Sequence, residues 1–282
     1  MKSFTLNNGV QMPSVGIGTF LLEPNDAQNS VEEALKLGYR LIDTANVYVN
    51  ERAVGRGIKR SGVKREEIFV STKLWPTEYE NEHAVDETLE RLGLDYIDLL
   101  FLHQPAGNWQ AGYIALEKAY KEGKIKSIGI SNFEGKYIVS LLEQCEIKPQ
   151  VIQVECHPYF PQDELRKITI KENIFIMSWY PLGGKGNSKQ LLENEIVVSL
   201  AEKHQKSPAQ IVLKWHVQMG FVVIPGSKNV DHIKDNIDLF DFELSDDDMT
   251  QMAKLNTSSR YYTRTEENLE RFAGWAPQYE AK

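Results

Sequence analysis

The stretch RLIDTANVYVNERAVGRGIKR, residues 40–60, holds one complete folding unit. Its opening run is short, apolar and β-branched and ends in Asp43, as a buried strand does. A polar loop carrying Tyr48 follows, and residues 51–60 read as an amphipathic helix. A strand therefore gives way to a helix through a turn that receives both a carboxylate and a phenol.

Outward from this unit the same alternation runs the length of the chain. FTLNNGVQM is a hairpin signal with Asn8-Gly9 as its turn. Strands are expected at SVGIG, RLID, IFVSTKL, IDLLFLH, KIKSIGIS, QVIQVE, IFIMSWYPL and FVVIP. Helices are expected over 27–37, 51–60, 82–92, 112–122, 134–144, 162–171, 209–218 and 230–237. Eight strands each followed by a helix, in 282 residues, is what a closed (β/α)8 TIM barrel requires. A doubly wound sheet uses the same alternation but rarely repeats it eight times without a break, and no Pro/Gly/Ser-rich linker divides this chain. Residues 1–282 are read as a single α/β barrel domain with an N-terminal β-hairpin. Extra helices are expected at 195–204 and after ELSDDDM, where Ser245 and Asp248 match a capping box. Beyond Asn256 the periodicity is weak, and the chain reads as a long tail over the barrel mouth.

With 41% hydrophobic and 26% charged residues the chain can bury a large core. Lys+Arg number 32 against 40 Asp+Glu, a formal net charge of −8, which is a poor match to a nucleic-acid binder. Cys145 and Cys156 stand in no CxxC pair and no metal-ligand spacing. They read as reduced thiols of a cytoplasmic protein, and no metal site is expected. The N-terminus lacks the apolar core of a signal peptide, and no run approaches the roughly 18 apolar residues of a membrane span. Neither a heptad seam nor an unusually apolar helix face predicts association, so a monomer is expected.

In a barrel of this kind chemistry gathers where the C-terminal ends of the strands meet. Strand two ends at Asp43, with Tyr48 in its loop; strand three carries Lys73; strand four ends at His103. Strand five delivers Ser131 and Asn132, strand six Gln153 and Glu155, and strand seven Trp179. An ammonium inside an apolar barrel mouth needs a counter-charge, and Asp43 on the neighbouring strand is the natural partner of Lys73. Such a pair beside Tyr48 lowers the phenol's pKa and makes it a general acid near neutral pH. His103 points at the same spot, where it can orient a carbonyl oxygen. Any one of these residues alone is more often structural than catalytic; their arrival together on three consecutive strands reverses that. The four describe a site that protonates a carbonyl, and since no side chain can supply a hydride, a reduced cofactor is implied.

These residues resemble the aldo-keto reductase superfamily in its bacterial form. The resemblance covers essentially the whole chain through NNGVQMPSVGIGTF, GYRLIDTANVYVNERAVGRGI, FVSTKLWP, DYIDLLFLHQP, GKIKSIGISNF, QVIQVECHP, SWYPLG and IPGSKNVDHIKDNIDLFDFELSDDDM. It implies a nicotinamide-dependent carbonyl reductase with its catalytic tetrad at Asp43, Tyr48, Lys73 and His103. It also implies that Ser131, Asn132 and Gln153 hold the nicotinamide carboxamide and that Trp179 stacks on the ring. Thr19, Leu182 and Gly183 join the cofactor set, the last two from the loop LGGKGNSKQ, expected over the pyrophosphate. Gly226, Ser227, His232, Asp235 and Asn236 take the adenosine end. The departure lies there: related sequences commonly have a lysine at position 226 and an arginine at 232. Losing them weakens recognition of a 2′-phosphate, so NADP(H) is expected with relaxed use of NAD(H), and Lys228 or Lys234 is left to compensate.

The mouth is expected to be lined by Phe20, Val47, Trp75 and Trp109, with Tyr261 or Trp275 of the tail closing one side. The short loop QPAGNWQAG suggests an open pocket for small aldehydes, 2-oxoaldehydes or keto sugars. Two readings from other classes stay open: a lyase or aldolase that uses Lys73 as a Schiff-base amine, and a cofactor-binding regulatory subunit.

Overall fold

A computed structural model describes residues 2–184 and 186–280. A short antiparallel hairpin, β1 (Ser3–Thr5) and β2 (Gln11–Pro13), opens the chain. Eight parallel strands follow in sequential order: β3 (Ile17–Gly18), β4 (Leu41–Asp43), β5 (Phe69–Leu74), β6 (Leu99–Leu102), β7 (Ile128–Ser131), β8 (Val151–Glu155), β9 (Phe175–Trp179) and β10 (Val222–Val223). The last meets the first. Val15 bridges Val223 in parallel register, with Gly16 N–H donating to the Val223 carbonyl at 2.8 Å and Val223 N–H to the Ser14 carbonyl at 3.0 Å. The sheet thus closes as the expected (β/α)8 barrel and leaves no free edge.

The helices between the strands are α1 (Pro24–Lys36), α2 (Glu51–Ser61), α3 (Ala84–Leu92), α4 (Trp109–Lys121), α5 (Lys136–Gln144) and α6 (Asp163–Glu172), then α7 (Ser188–Leu192), α8 (Glu195–His204) and α9 (Pro208–Gln218). After β10 come α10 (Val230–Ile237), α11 (Asp246–Ala253) and α12 (Glu266–Gly274). Two apolar layers hold the structure together. One lies between strands and helices; the other fills the barrel, where Leu41, Phe69, Leu99, Phe101 and Val151 pack against Leu6 and Met12 of the hairpin. The hairpin plugs the bottom, because Asn7 and Asn8 bond to the Pro149 and Lys126 carbonyls just ahead of β8 and β7. With the bottom sealed, the opposite end is left open to ligands.

Three details differ from the sequence reading. The tail contains α12, which buries only Leu269 and starts at a capping box between Thr265 and Asn268, so local bonding outweighs its weak periodicity. The five-residue α7 forms between β9 and α8, where only a loop was expected. Helix α4 begins at Trp109, three residues earlier than its apolar pattern suggested, because Asn108 caps it by accepting the Ala111 N–H. The Ser245/Asp248 capping box of α11 is formed as expected. Cys145 and Cys156 are free thiols, the second fully buried. Among the described residues no helix is long and apolar enough to cross a membrane, and no His/Cys/Asp/Glu cluster could hold a metal.

Candidate active site

Strand β4 ends at Asp43, which pairs with Ser71 of the parallel strand β5, and Lys73 lies further along β5 on the same side of the barrel mouth. Lys73 Nζ donates to Asp43 Oδ2 at 2.6 Å and to the Thr44 carbonyl at 2.7 Å, with both side chains essentially sealed from solvent. Asp43 Oδ1 is also satisfied, accepting from Ser71 Oγ at 2.8 Å and from Gln153 Nε2 at 3.0 Å. A buried charge pair persists only when its remaining lone pairs are bonded in this way.

Beyond Asp43 the chain makes a three-residue 3-10 turn, Asn46–Tyr48, which lifts the Tyr48 ring to 4.9 Å from Lys73 Nζ. The His103 ring, from the residue after β6, stands edge-on to Tyr48 at 5.8 Å and to Trp75 at 5.1 Å. The four predicted residues therefore come together at one end of the barrel. Tyr48, His103 and Asp43 line a cavity of about 1050 Å³, and Lys73 lies just beneath it.

The electrostatics depart from the simple expectation that Lys73 lowers the tyrosine pKa. Burial, then the Asp43 carboxylate, then Tyr180 hold the Tyr48 phenol well above its ordinary value. Lys73 is answered by Asp43 at contact distance, so its field at Tyr48 is partly cancelled. Burial pulls the Lys73 amine down while Asp43 pushes it back up. Burial, helped by the Lys73 charge, holds His103 well below the usual imidazole range. At neutral pH the site thus presents a protonated phenol beside an uncharged imidazole, one donor and one group able to orient it.

The residues expected to hold a nicotinamide line the same cavity. Asn132 follows β7 at φ 65°, a left-handed conformation that asparagine tolerates. Its Nδ2 donates to the His103 carbonyl and to Ser131 Oγ, both at 3.1 Å, and its Oδ1 accepts from Trp179 Nε1 at 3.1 Å. One amide thus ties the ends of three strands together. Gln153 spends its Nε2 on Asp43 instead, which links this set directly to the ion pair. Further along the cavity lie Leu182 and Gly184, and at its far end Gly226, Ser227, His232, Asp235 and Asn236. An amide set at one end, an indole beside it and a glycine-bearing loop along the wall fit an extended dinucleotide.

Some expected residues lie elsewhere. Thr19 does not line the cavity; it is fully buried, and its N–H and hydroxyl both bond to the Asp43 carbonyl, at 3.0 and 3.2 Å. Gly183 faces the backbone of Asn187 and Ser188, where a Cβ would come within 3.2 Å, rather than the cavity. Lys185 of the same loop lies outside the described residues. Trp109 is buried in the first turn of α4 with its ring edge-on to Phe133 at 5.5 Å, so it packs the barrel wall. Glu155 points away from the cavity and accepts the Tyr261 and Tyr262 main-chain N–H groups together with His157. Tyr261 packs its ring at a tilt against His157, and the tail residues that reach the mouth are Tyr262, Phe272 and Trp275. Phe20, Val47 and Trp75 line the mouth as expected.

Sequence reasoning goes no further at Asn50 than a loop-supporting residue, and its side chain joins Thr19, Leu22 and Thr44 around the Tyr48 turn. It also missed Arg264, which donates to the main-chain carbonyl of Asn132 from the tail. Asn50 carried a local signal in the polar run after Asp43; Arg264 carried none, because its partner is remote in sequence.

A fold and a site of this kind define a barrel oxidoreductase, and comparison with known proteins narrows the class. The Aldo/keto reductase family model matches residues 14–257, and the chain belongs to that family. It is 47% identical over 260 residues to a glyoxal reductase of Bacillus subtilis, covering 90% of this chain and 93% of the relative. It is 42% identical to a morphine 6-dehydrogenase of Pseudomonas putida, over 90% of this chain and 91% of that one. Among solved structures, the aldo-keto reductase MGS-M4 from a Medee basin deep-sea metagenome library superposes with a TM-score of 0.91 at 43% identity, covering 94% of this chain and 98% of that chain. The family makes the protein an oxidoreductase that reduces carbonyl groups with a nicotinamide cofactor.

Proposed function

We propose that this protein, as a single barrel domain, reduces small aldehydes and 2-oxoaldehydes, with Tyr48 as the acid that protonates the carbonyl oxygen. One observation carries the reading: a protonated Tyr48 and an uncharged His103 meet at the cavity directly above the buried Lys73–Asp43 pair. The relative named for glyoxal supports a small dicarbonyl substrate.

In this mechanism His103 orients the carbonyl oxygen, and Tyr48 donates its proton to that oxygen as negative charge develops there. The Lys73 cation beneath the ring stabilises the phenolate left behind, while Asp43 keeps the lysine charged. Ser131, Asn132 and Trp179 orient the nicotinamide, which when bound supplies the hydride. Phe20 and Trp75 narrow the mouth around the substrate and exclude water.

NADPH is the expected cofactor, with appreciable use of NADH. At the adenosine end the cavity is bordered by Gly226, His232 and Asp235, with no lysine or arginine among the described residues that line it. Lys228 is exposed and paired with Asp26 at 3.2 Å, and Lys234 lies off the cavity. Among the described residues, a 2′-phosphate therefore meets no fixed cation.

A Schiff-base role for Lys73 is disfavoured, since its amine is held by two acceptors in a sealed site. Single-turnover reduction separates the readings, including that of a regulatory subunit, which reduces nothing. Tyr48→Phe is expected to slow it by about 10²–10⁴-fold with cofactor affinity nearly unchanged. Wild-type turnover in that variant rules Tyr48 out as the acid.

A further inference from the structure

Tyr48 sits on a short turn closed by two backbone hydrogen bonds, Tyr48 N–H to the Ala45 carbonyl at 3.0 Å and Val49 N–H to the Asn46 carbonyl at 3.2 Å. The next residue, Val49, is β-branched yet left-handed at φ 59°, a strained combination that persists only where the surroundings impose it. Helix α2 begins at Glu51, and its N-cap residue Asn50 makes no side-chain cap bond, because its amide is spent on Thr19, Leu22 and Thr44. The turn that carries the acid is therefore followed by strain and by a helix start that its own cap leaves open.

The far end of the chain answers on both sides. Ahead of Tyr48, buried Asn46 accepts the Trp75 main-chain N–H at 3.1 Å and donates through Nδ2 to the Tyr279 hydroxyl at 3.3 Å. Tyr279 is seated with its ring centroid 4.1 Å from the Arg91 guanidinium, which is paired with buried Glu51 at 2.6 Å. Behind Tyr48, Glu280 Oε2 accepts the Ala53 N–H at 3.1 Å, in the first turn of α2, where a capping side chain normally bonds. Glu280 Oε1 binds Arg56 at 2.7 Å, and Arg52 Nε donates to the Glu280 main-chain carbonyl at 3.3 Å. A carboxylate at this end of α2 also meets the favourable end of the helix dipole.

We propose that Tyr279 and Glu280 are positioning residues for Tyr48: the tip of the tail clamps both ends of the turn that carries the acid. Neither residue lines the cavity, so neither acts by touching substrate. The tip then governs the rate of proton transfer, while Trp275 and Phe272, further back in the tail, border the substrate space. The inference rests on the reading of Tyr48 as the acid.

The test uses full-length protein, propanal as substrate and NADPH. Tyr279→Phe keeps the ring over Arg91 and removes only the hydroxyl, which binds Asn46 and also Glu78; Glu280→Ala removes the cap; Glu280→Asp is the conservative control. Each of the first two is expected to slow single-turnover reduction about five- to tenfold, because sub-ångström misplacement of a reacting group carries a cost of that order. The KM for propanal and the Kd for NADPH should stay within about twofold, as expected when only the transition state is affected. Glu280→Asp should recover most of the loss, and amide exchange over residues 46–53 of the free protein should quicken in Glu280→Ala. Unchanged single-turnover rates, beside a Tyr48→Phe variant that has lost turnover, overturn the proposal. So does a loss confined to KM, or one that Glu280→Asp fails to relieve. If Glu280→Ala does not fold, Tyr279→Phe, which deletes one oxygen, carries the same test. A Tyr48→Phe variant with wild-type turnover removes the acid assignment, and this proposal with it, whatever the tail variants do.

Discussion

Replacing Lys73 by methionine tests the charge arrangement at the centre of the site. The substitution keeps much of the side-chain volume but removes the ammonium that lies 2.6 Å from Asp43 Oδ2. Asp43 then remains as a carboxylate 1% exposed, bonded only through Oδ1 to Ser71 and Gln153. Stranding one member of a buried ion pair costs about 3–5 kcal/mol. The two surviving hydrogen bonds place this case near the lower bound, about 3 kcal/mol, and for a chain of this size that lowers Tm by about 6–9 °C. Adding Asp43→Asn removes the stranded charge and should return at least half of the loss, because a pair removed together costs less than a pair broken. The assay is urea unfolding of the wild type, both single variants and the double variant, read as a thermodynamic cycle. If Lys73→Met unfolds within about 0.5 kcal/mol of the wild type, as an ordinary surface substitution does, the pair is not a buried charge pair. If Asp43→Asn returns nothing, Asp43 is not the group that Lys73 neutralises. Catalysis should be lost in Lys73→Met whatever the stability, since the phenolate has no counter-charge.

Two further expectations concern the cofactor and the pH response. His232→Arg restores a forked cation at the adenosine end and should tighten NADPH about tenfold or more while leaving NADH within about twofold, since a charged hydrogen bond adds about 1.5–3 kcal/mol; equal gains for both cofactors would show that the 2′-phosphate is not read there. A lysine at position 226 is the poorer choice, because a Cβ on Gly226 would sit 2.8 Å from the Gly18 carbonyl oxygen. Burial pulls the His216 pKa down to about 4, against carbonyl contacts from Val212 and Cys156 that raise it. The folded state thus keeps this ring neutral while the unfolded chain takes up a proton near pH 6.5, so stability is full above about pH 6.5 and falls toward pH 4. The loss attributable to His216 is about 3 kcal/mol at most. Urea melts at successive pH values, compared with His216→Gln, measure it; a variant with the same pH slope as the wild type removes His216 as the cause.

Much of this protein could be read from the chain itself, and the reason is local. A buried parallel strand writes itself as an apolar run and an outer helix as an amphipathic one, so the alternation around Asp43, Lys73 and His103 named both the barrel and the end where chemistry collects. Asp43, Lys73 and His103 meet because consecutive parallel strands bring their C-terminal ends side by side, and the turn after β4 brings Tyr48 to them. Trp109, Thr19 and Gly183 lie off the cavity for a physical reason as well: a cap moved the start of α4, a hydroxyl found an inter-strand partner, and a turn faced its own backbone.

Only the tertiary structure decided the rest. Burial, a property of the assembled barrel, is the largest influence on both Tyr48 and His103 and keeps the phenol and the imidazole uncharged. The closure of the mouth by Tyr262, Phe272 and Trp275, the hold of Arg264 on Asn132 and the docking of Tyr279 and Glu280 onto the Tyr48 turn join residues more than a hundred positions apart. Periodicity records what a residue does to its neighbours along the chain. It is silent about contacts between a polar tail and a loop at the far side of a barrel, since these depend on where folding carries each end.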